Sequence, residues 1–164
     1  MDKEAWLNGK LDGFAPIVMP AAHALRQAIA DLEKVTKDLS VEELNARPND
    51  VSSIAFHLRH IAGSIDRLLT YSRGEELNQT QFDFLKAEKE NSKVNADELT
   101  ENAIAEIRNA LEELKTVAPE KLYEERFVGR EKLPTSVFGL LFHIAEHTAR
   151  HVGQIVTTAK IVEK

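Results

Sequence analysis

Four long stretches of this chain repeat apolar residues every three or four positions, and this periodicity constrains the fold more than any other feature. They span about 16–38, 52–73, 97–117 and 134–159. Only seven glycines and five prolines interrupt the 164 residues. Each stretch is therefore expected to form an amphipathic helix with one apolar face. The pattern predicts an all-α protein, a four-helix bundle whose helices share one core.

Capping residues indicate where these helices begin and end. Ser40 and Glu43 match a capping box, which predicts a short helical turn at 41–44. Pro48 then breaks the chain, because proline lacks the amide donor that a helix interior needs. Gly74 is a natural stop after the second long helix.

Two long connections separate the predicted helices. The first, at 75–94, is polar, and we expect a helical turn within it at about 82–90. The second, at 120–134, suggests a brief extended piece or hairpin near Phe127. Connections of this length fit a bundle with crossovers better than one with short loops. No repeat or interdomain linker is visible, so we expect a single domain over 1–164.

Composition and charge exclude several classes of protein. Asp and Glu number 27 against 21 for Lys and Arg, and an acidic chain without a basic tract is a poor nucleic-acid binder. The chain has no cysteine, which excludes disulfides, thiolate ligands and a cysteine nucleophile. No secretory signal is visible, and the apolar stretch at 14–22 is too short to cross a membrane. We therefore expect a cytoplasmic protein that binds neither nucleic acid nor membrane.

The histidines carry the main chemical signal of the sequence, because five of the six fall on two predicted helices. His57 and His60 lie on the second long helix, and His143, His147 and His151 lie on the fourth. Spacings of three and four place side chains one turn apart on the same helix face. Imidazoles from facing helices of a bundle can form a metal site, and imidazole nitrogen suits zinc or nickel.

Helical periodicity also estimates which histidines face inward. On the fourth helix, His151 lies inside the edge of the apolar stripe, His147 lies at its margin and His143 lies beyond it. On the second helix, His57 lies closer to the stripe than His60. Taken alone, periodicity therefore favours His57 on the second helix and His147 with His151 on the fourth.

Other interpretations of the same histidines stay open. A histidine beside an apolar face is commonly a hydrogen-bonded boundary residue with no ligand. The segment 143–147 also matches the H-x-x-E-H pattern of some zinc proteases, but periodicity turns His143 and Glu146 away from the core. A haem held by two histidines has no support beyond the histidines themselves.

A few further side chains are weaker candidates. Asp66 follows the second-helix histidines and is placed to orient a ligand, or to be a solvated carboxylate. Gln154 either forms a hydrogen bond with a substrate near the site or is an ordinary boundary amide. Trp6, Phe14 and His23 either line a pocket near the N-terminal end or pack as ordinary core residues.

Two segments, His-Leu-Arg-His-Ile-Ala-Gly-Ser-Ile-Asp-Arg-Leu-Leu at 57–69 and His-Ile-Ala-Glu-His-Thr-Ala-Arg-His-Val-Gly-Gln-Ile at 143–155, give this sequence a family resemblance. It resembles the DinB family, whose members are also described as DinB/YfiT-like metalloenzymes. The likeness covers most of the chain, and its most specific part is the His-x3-His-x-Gly-Gln motif of the last helix.

The resemblance implies a four-helix bundle in which three histidines bind one divalent metal ion. Carried over by position, these are His60, His147 and His151. The motif and the periodicity agree on the fourth helix and differ on the second, where we follow the motif. Residues that remain as alternate ligands, or as side chains that contact a ligand, are His57, His143 and Gln154.

The resemblance also sets the functional expectation. Zinc or nickel is expected first, with iron and manganese open, and three histidines leave a coordination position for chemistry. We expect a metal-dependent enzyme acting on a small molecule, either a transferase using a low-molecular-weight thiol or a hydrolase using metal-bound water. Family resemblance further implies a homodimer. The alternative is a non-catalytic, stress-associated module for metal binding or dimerisation, and the sequence assigns no catalytic residue.

Overall fold

The computed structural model describes residues 3–162, and this part of the chain is mostly helical. The four long helices are α1 (Met19–Val35), α3 (Ile54–Ser72), α5 (Ala96–Thr116) and α6 (Val137–Val162). The shorter helices are α2 (Val41–Asn45) and α4 (Gln79–Ala87), and the strands are β1 (Glu125–Val128) and β2 (Leu133–Ser136). Single 3-10 turns occur at Ala5–Asn8, Pro48–Asp50 and Pro119–Lys121. The predicted domain of 1–164 includes two residues at each end that lie outside the described range.

The long helices pack around one core, as their periodicity predicts. α3 lies against both α5 and α6, and α1 also contacts α5 and α6. Each long helix contributes a fully buried side chain to the centre: Leu25, Ile61, Ile104 and Leu141. Because α3 and α6 are neighbours, the histidines that they carry can meet along their shared seam. None of the described helices is long and apolar enough to span a membrane.

Two of the predicted helix ends are confirmed in detail. The Ser40 hydroxyl accepts a hydrogen bond from the Glu43 amide at 3.2 Å, and the Glu43 carboxylate accepts one from the Ser40 amide at 2.9 Å. This reciprocal capping box begins α2. At the end of α3, Gly74 adopts a φ of +78°, a left-handed conformation that favours glycine.

The first helix is shorter than predicted at both ends. The prediction began at 16, whereas 16–18 form a turn and α1 begins at Met19 with Pro20 in its first turn. Proline is tolerated there because its missing amide would have no helical partner. The helix ends before Asp38, whose φ of +65° is incompatible with a continuing right-handed helix.

The predicted start of the last helix at 134 is wrong. Pro134 and Thr135 belong to β2, which pairs antiparallel with β1, and α6 begins only at Val137. Proline fits both a first helical turn and an edge strand, so the residue type does not distinguish them. The expected extended piece near Phe127 is confirmed as a two-stranded hairpin.

The first long connection contains α4, which begins three residues before the predicted turn at 82–90. Side chains of α3 fix α4 in place: Gln81 Nε2 donates hydrogen bonds to Asp66 Oδ2 at 2.9 Å and to Thr70 Oγ1 at 2.8 Å. Asp66 therefore helps to hold α4 on α3, and the structure gives it no contact with the histidines. This placement brings the C-terminal end of α4 beside the part of α3 that carries His60.

Candidate metal centre

Three histidines from α3 and α6 meet at the seam between these helices. Nε2 of His60 lies 3.0 Å from Nε2 of His147, which lies 3.2 Å from Nε2 of His151. One nitrogen from each ring lies within 4.8 Å of the others, and all three side chains are half-buried. Zinc bonds imidazole nitrogen at about 2.0–2.1 Å, so tetrahedral ligands lie roughly 3.3 Å apart. The three rings could therefore hold a metal ion with little movement.

Burial favours the neutral form of the His147 and His151 imidazoles at physiological pH. It lowers the pKa of His147 to about 4, and the electrostatic influence of neighbouring His60 lowers it further. Burial likewise lowers the pKa of His151 to about 3, with added repulsion from His147. A neutral imidazole offers a lone pair, and metal binding requires that form. These two α6 histidines therefore bind protons poorly and present lone pairs at the seam.

Glu88 determines which nitrogen of His60 faces the other rings. Its carboxylate oxygen Oε2 lies 2.8 Å from His60 Nδ1, and the Glu88 side chain is 2% exposed. A carboxylate accepts, so Nδ1–H of His60 donates and the lone pair is left on Nε2. The second carboxylate oxygen, Oε1, accepts from Arg67 Nη1 at 2.8 Å, so the buried charge of Glu88 is paired.

A glycine makes room for this buried carboxylate. A Cβ atom added at Gly63 would overlap Glu88 Oε1, and it would lie 2.7 Å from Arg67 Nη1 and 2.8 Å from Phe84 Cδ1. His60, Gly63 and Arg67 follow one another at helical spacing on the face of α3 that receives α4. Sequence reasoning missed Glu88, since it lies in a long polar connection with no motif of its own.

His57 lies behind the ligand set. It is 4% exposed, and its Nδ1 lies 2.9 Å from Nδ1 of His151. Burial lowers the pKa of His57 to about 4, with a further contribution from His60. With the His151 lone pair on Nε2, the Nδ1–H of His151 donates to His57 Nδ1. Periodicity was right that His57 is the more buried, yet the structure groups His60 with the α6 histidines.

The remaining histidine of α6 points outward. His143 is exposed, and its Nδ1 lies 3.1 Å from Glu146 Oε2, while Glu146 also pairs with Arg150. The Arg150 hydrogen bond is the main reason that the pKa of Glu146 lies below its usual value. The H-x-x-E-H residues therefore do not converge on one point. Gln154 is also exposed, and its side chain has no hydrogen bond within residues 3–162.

The candidate coordination set has three protein ligands. In the described part of the chain, no fourth histidine, aspartate or glutamate joins the three rings. Phe56 stacks on His60 with ring centroids 5.4 Å apart, which gives the site one apolar wall. Three nitrogen ligands with an open position are the composition of reactive rather than purely structural zinc sites.

The chain is mostly helical, and three histidines from two neighbouring helices converge in it. These two features place it in the class of helical proteins with a candidate metal centre. The family model of the DinB superfamily matches residues 24–155, and this chain belongs to that superfamily. No curated protein matches the sequence.

One solved structure shares this fold. A conserved protein from Enterococcus faecalis is similar to this chain with a TM-score of 0.69 and 18% identity. The alignment covers 90% of this chain and 98% of that one. At this identity the likeness establishes the fold alone.

Proposed function

We propose that this protein is a single-domain four-helix bundle that binds one divalent cation through His60, His147 and His151. The observation that carries the proposal is the convergence of three Nε2 atoms, with separations of 3.0 Å and 3.2 Å along the set. Depressed pKa values at His147 and His151 support it, because they favour the protonation state that a metal requires. Zinc or nickel is the expected ion, since all three donors are imidazole nitrogens.

We further propose that the protein is an enzyme acting on a small molecule. When bound, a divalent cation in this site acts as a Lewis acid that lowers the pKa of a thiol or water in the open position. The two reactions proposed are transfer to or from a low-molecular-weight thiol and, second, hydrolysis. Half-burial of the three rings supports access by small molecules while restricting larger ones.

The chain's own residues hold the ligands in a fixed orientation. Glu88 keeps the proton of His60 on Nδ1, and Arg67 keeps Glu88 in place. His57 plays the matching part behind His151 by accepting from its Nδ1. Residues that fix the tautomer of a ligand in this way raise its basicity and metal affinity.

Metal content of the tag-free protein tests the proposal. Protein purified without chelator is expected to carry about one zinc or nickel ion per chain, measured by elemental analysis. The His147→Ala variant should lose the ion, whereas His143→Ala, a change of the same size on an exposed turn of α6, should retain it. Retention of one ion per chain by a His60/His147/His151 triple alanine variant would falsify the assignment.

Turnover distinguishes an enzyme from a binding module. Metal-loaded protein is expected to conjugate a thiol such as glutathione to an electrophilic test compound faster than the His147→Ala variant does. A protein that binds one ion per chain but accelerates neither thiol transfer nor ester hydrolysis would favour the non-catalytic module. Sedimentation of the same samples tests the proposed homodimer.

A further inference from the structure

A concave site lies between α1 and α6, on the side of α6 that faces away from the three histidines. Its volume is about 520 Å³, which is within the range of small-molecule sites. The walls are mainly apolar and small, and the lining residues include Ala24, Ala28, Ala149 and Val156. Trp6 of the N-terminal 3-10 turn forms part of the rim and is 62% exposed.

Three polar side chains follow one face of α1 along this groove, at spacings of four. They are His23, Gln27 and Asp31, and all three line the groove. Gln27 is fully engaged, since its Oε1 accepts from the Ala5 amide at 2.8 Å and its Nε2 donates to Asp31 Oδ1 at 2.9 Å. These contacts anchor the turn that carries Trp6 and leave the two outer residues of the row for a ligand.

His23 is a buried polar side chain with no partner. It is 8% exposed, its Nδ1 is fully buried, and neither ring nitrogen has a hydrogen bond within residues 3–162. Because Nδ1 is fully buried, a ligand in the open groove reaches this imidazole only through Nε2, whose hydrogen-bonding capacity the described residues leave unused. An imidazole without a fixed tautomer can donate to such a ligand or accept from it.

Asp31 supplies charge at the other end of the row. It is half-buried, and no lysine, arginine or histidine nitrogen of the described residues lies within ion-pair distance of it. Eight residues along α1 separate Asp31 from His23, which corresponds to roughly 12 Å along the helix. A ligand that contacts both residues is therefore elongated, with a cationic end at Asp31 and a hydrogen-bonding end at His23.

We propose that this groove binds a small aromatic amine. The ammonium group lies at Asp31, the ring lies against the small apolar residues and Trp6, and a polar ring substituent bonds with His23. The chain's net charge of −6 favours a cation. An aromatic ring can pack on the exposed indole of Trp6 and on the small apolar residues of the groove. This site is independent of the metal ligands and does not rest on the function proposed above.

Tyramine is the probe that matches this arrangement, since it carries an ammonium group at one end and a phenol hydroxyl at the other. Trp6 is the only tryptophan of the chain, so its fluorescence reports on the groove directly. Saturable binding by calorimetry, with a blue shift of the Trp6 emission, is expected. Tyrosol, which replaces the ammonium by a hydroxyl, should bind about tenfold or more weakly.

Two variants and one control locate the site. Asp31→Asn keeps the acceptor used by Gln27 and removes the charge, so tyramine should bind about tenfold more weakly and tyrosol as before. Glu33→Gln makes the same charge change on an exposed turn of α1 and should leave binding unchanged. Gly153→Leu should abolish binding of both, because a Cβ at Gly153 meets no atom within 4 Å and the side chain would fill the groove.

Several results would overturn the proposal. They are the absence of saturable tyramine binding, equal binding of tyramine and tyrosol, and equal effects of Asp31→Asn and Glu33→Gln. A dimer that dissociates in Gly153→Leu, with Trp6 emission insensitive to tyramine, would overturn it by showing that a second copy covers the groove. Metal content is expected to be the same in all these variants.

Discussion

The carboxylate of Glu88 lies 2.8 Å from Nδ1 of His60, and this contact joins the end of α4 to a candidate metal ligand. Glu88 is also paired with Arg67, so one buried carboxylate connects two residues that are two turns apart on α3. The short helix in the first long connection is therefore part of the site. Its position controls the orientation of a ligand on a different helix.

Removing the charge of Glu88 should weaken metal binding. Glu88→Gln keeps the size of the side chain but no longer favours a proton on Nδ1 of His60. Changes of this kind typically lower metal affinity about 10- to 100-fold. Competition with a chelator measures the affinity, and Glu90→Gln, an exposed change two residues away, is the control. Equal affinities in the two variants would contradict the role given to Glu88.

Gly63→Ala should destabilise the fold, whereas Gly153→Ala should not. A Cβ at Gly63 overlaps Glu88 Oε1, while a Cβ at Gly153 meets no atom within 4 Å. Overpacking of this kind costs about 1–3 kcal/mol, and replacing a helical glycine by alanine in open space gains up to about 1 kcal/mol. Urea unfolding of both variants measures the difference. A wild-type stability for Gly63→Ala would contradict the close packing of Glu88, Arg67 and Phe84 over Gly63.

The second-helix histidines should differ in their effect on metal content. His60→Ala removes a ligand and is expected to abolish stoichiometric binding. His57→Ala removes only the acceptor behind His151, so the ion should remain at one per chain with weaker affinity. Metal-to-protein ratios after gel filtration, followed by chelator competition, separate the two effects. The opposite result would make His57 the ligand.

Acidification should destabilise the metal-free protein between about pH 6.5 and pH 4. The pKa values of His57 and His147 lie at about 4 in the fold, below the ordinary value of 6.5, and that of His151 lies at about 3. In this window the unfolded chain binds more protons than the folded chain, so the free energy of unfolding rises with pH and falls on acidification.

Urea unfolding with chelator present, from pH 7 down to pH 4, measures this dependence. His151→Gln cannot titrate in this range and should show a shallower slope than the wild type. The comparison removes the contribution of carboxylates, which both proteins share. A wild-type slope equal to that of His151→Gln would contradict the depressed pKa of His151.

Sequence periodicity predicted the helices well because burial of an apolar stripe against two neighbours dominates their formation. It favoured His57 over His60, although residues three apart on a helix differ by only about 60° in direction. That angle is within the error of any stripe drawn from apolar residues alone. Motif position placed His60 with the α6 pair, and the geometry groups these three rings.

Glu88 and the hairpin depend on contacts between distant parts of the chain, which local sequence patterns do not predict. Glu88 is buried only because α4 folds back over Gly63, a long-range contact that a polar segment does not reveal. Pro134 is compatible with a helix start and with an edge strand, and pairing with Phe127 decides between them. Capping at Ser40 was predictable because all its partners lie within three residues.

His60 and His147 stand 87 residues apart in the chain, although their Nε2 atoms lie 3.0 Å from each other. An ion held between them would close a long loop in a chain that has no cysteine with which to close one. An ion that binds only the folded chain stabilises it, and this stabilisation grows with the free concentration of the ion. The stabilisation is about 2.7 kcal/mol when that concentration is a hundred times the dissociation constant. The cell's supply of the metal would then help set how long each copy of the protein survives, as well as whether its site is active.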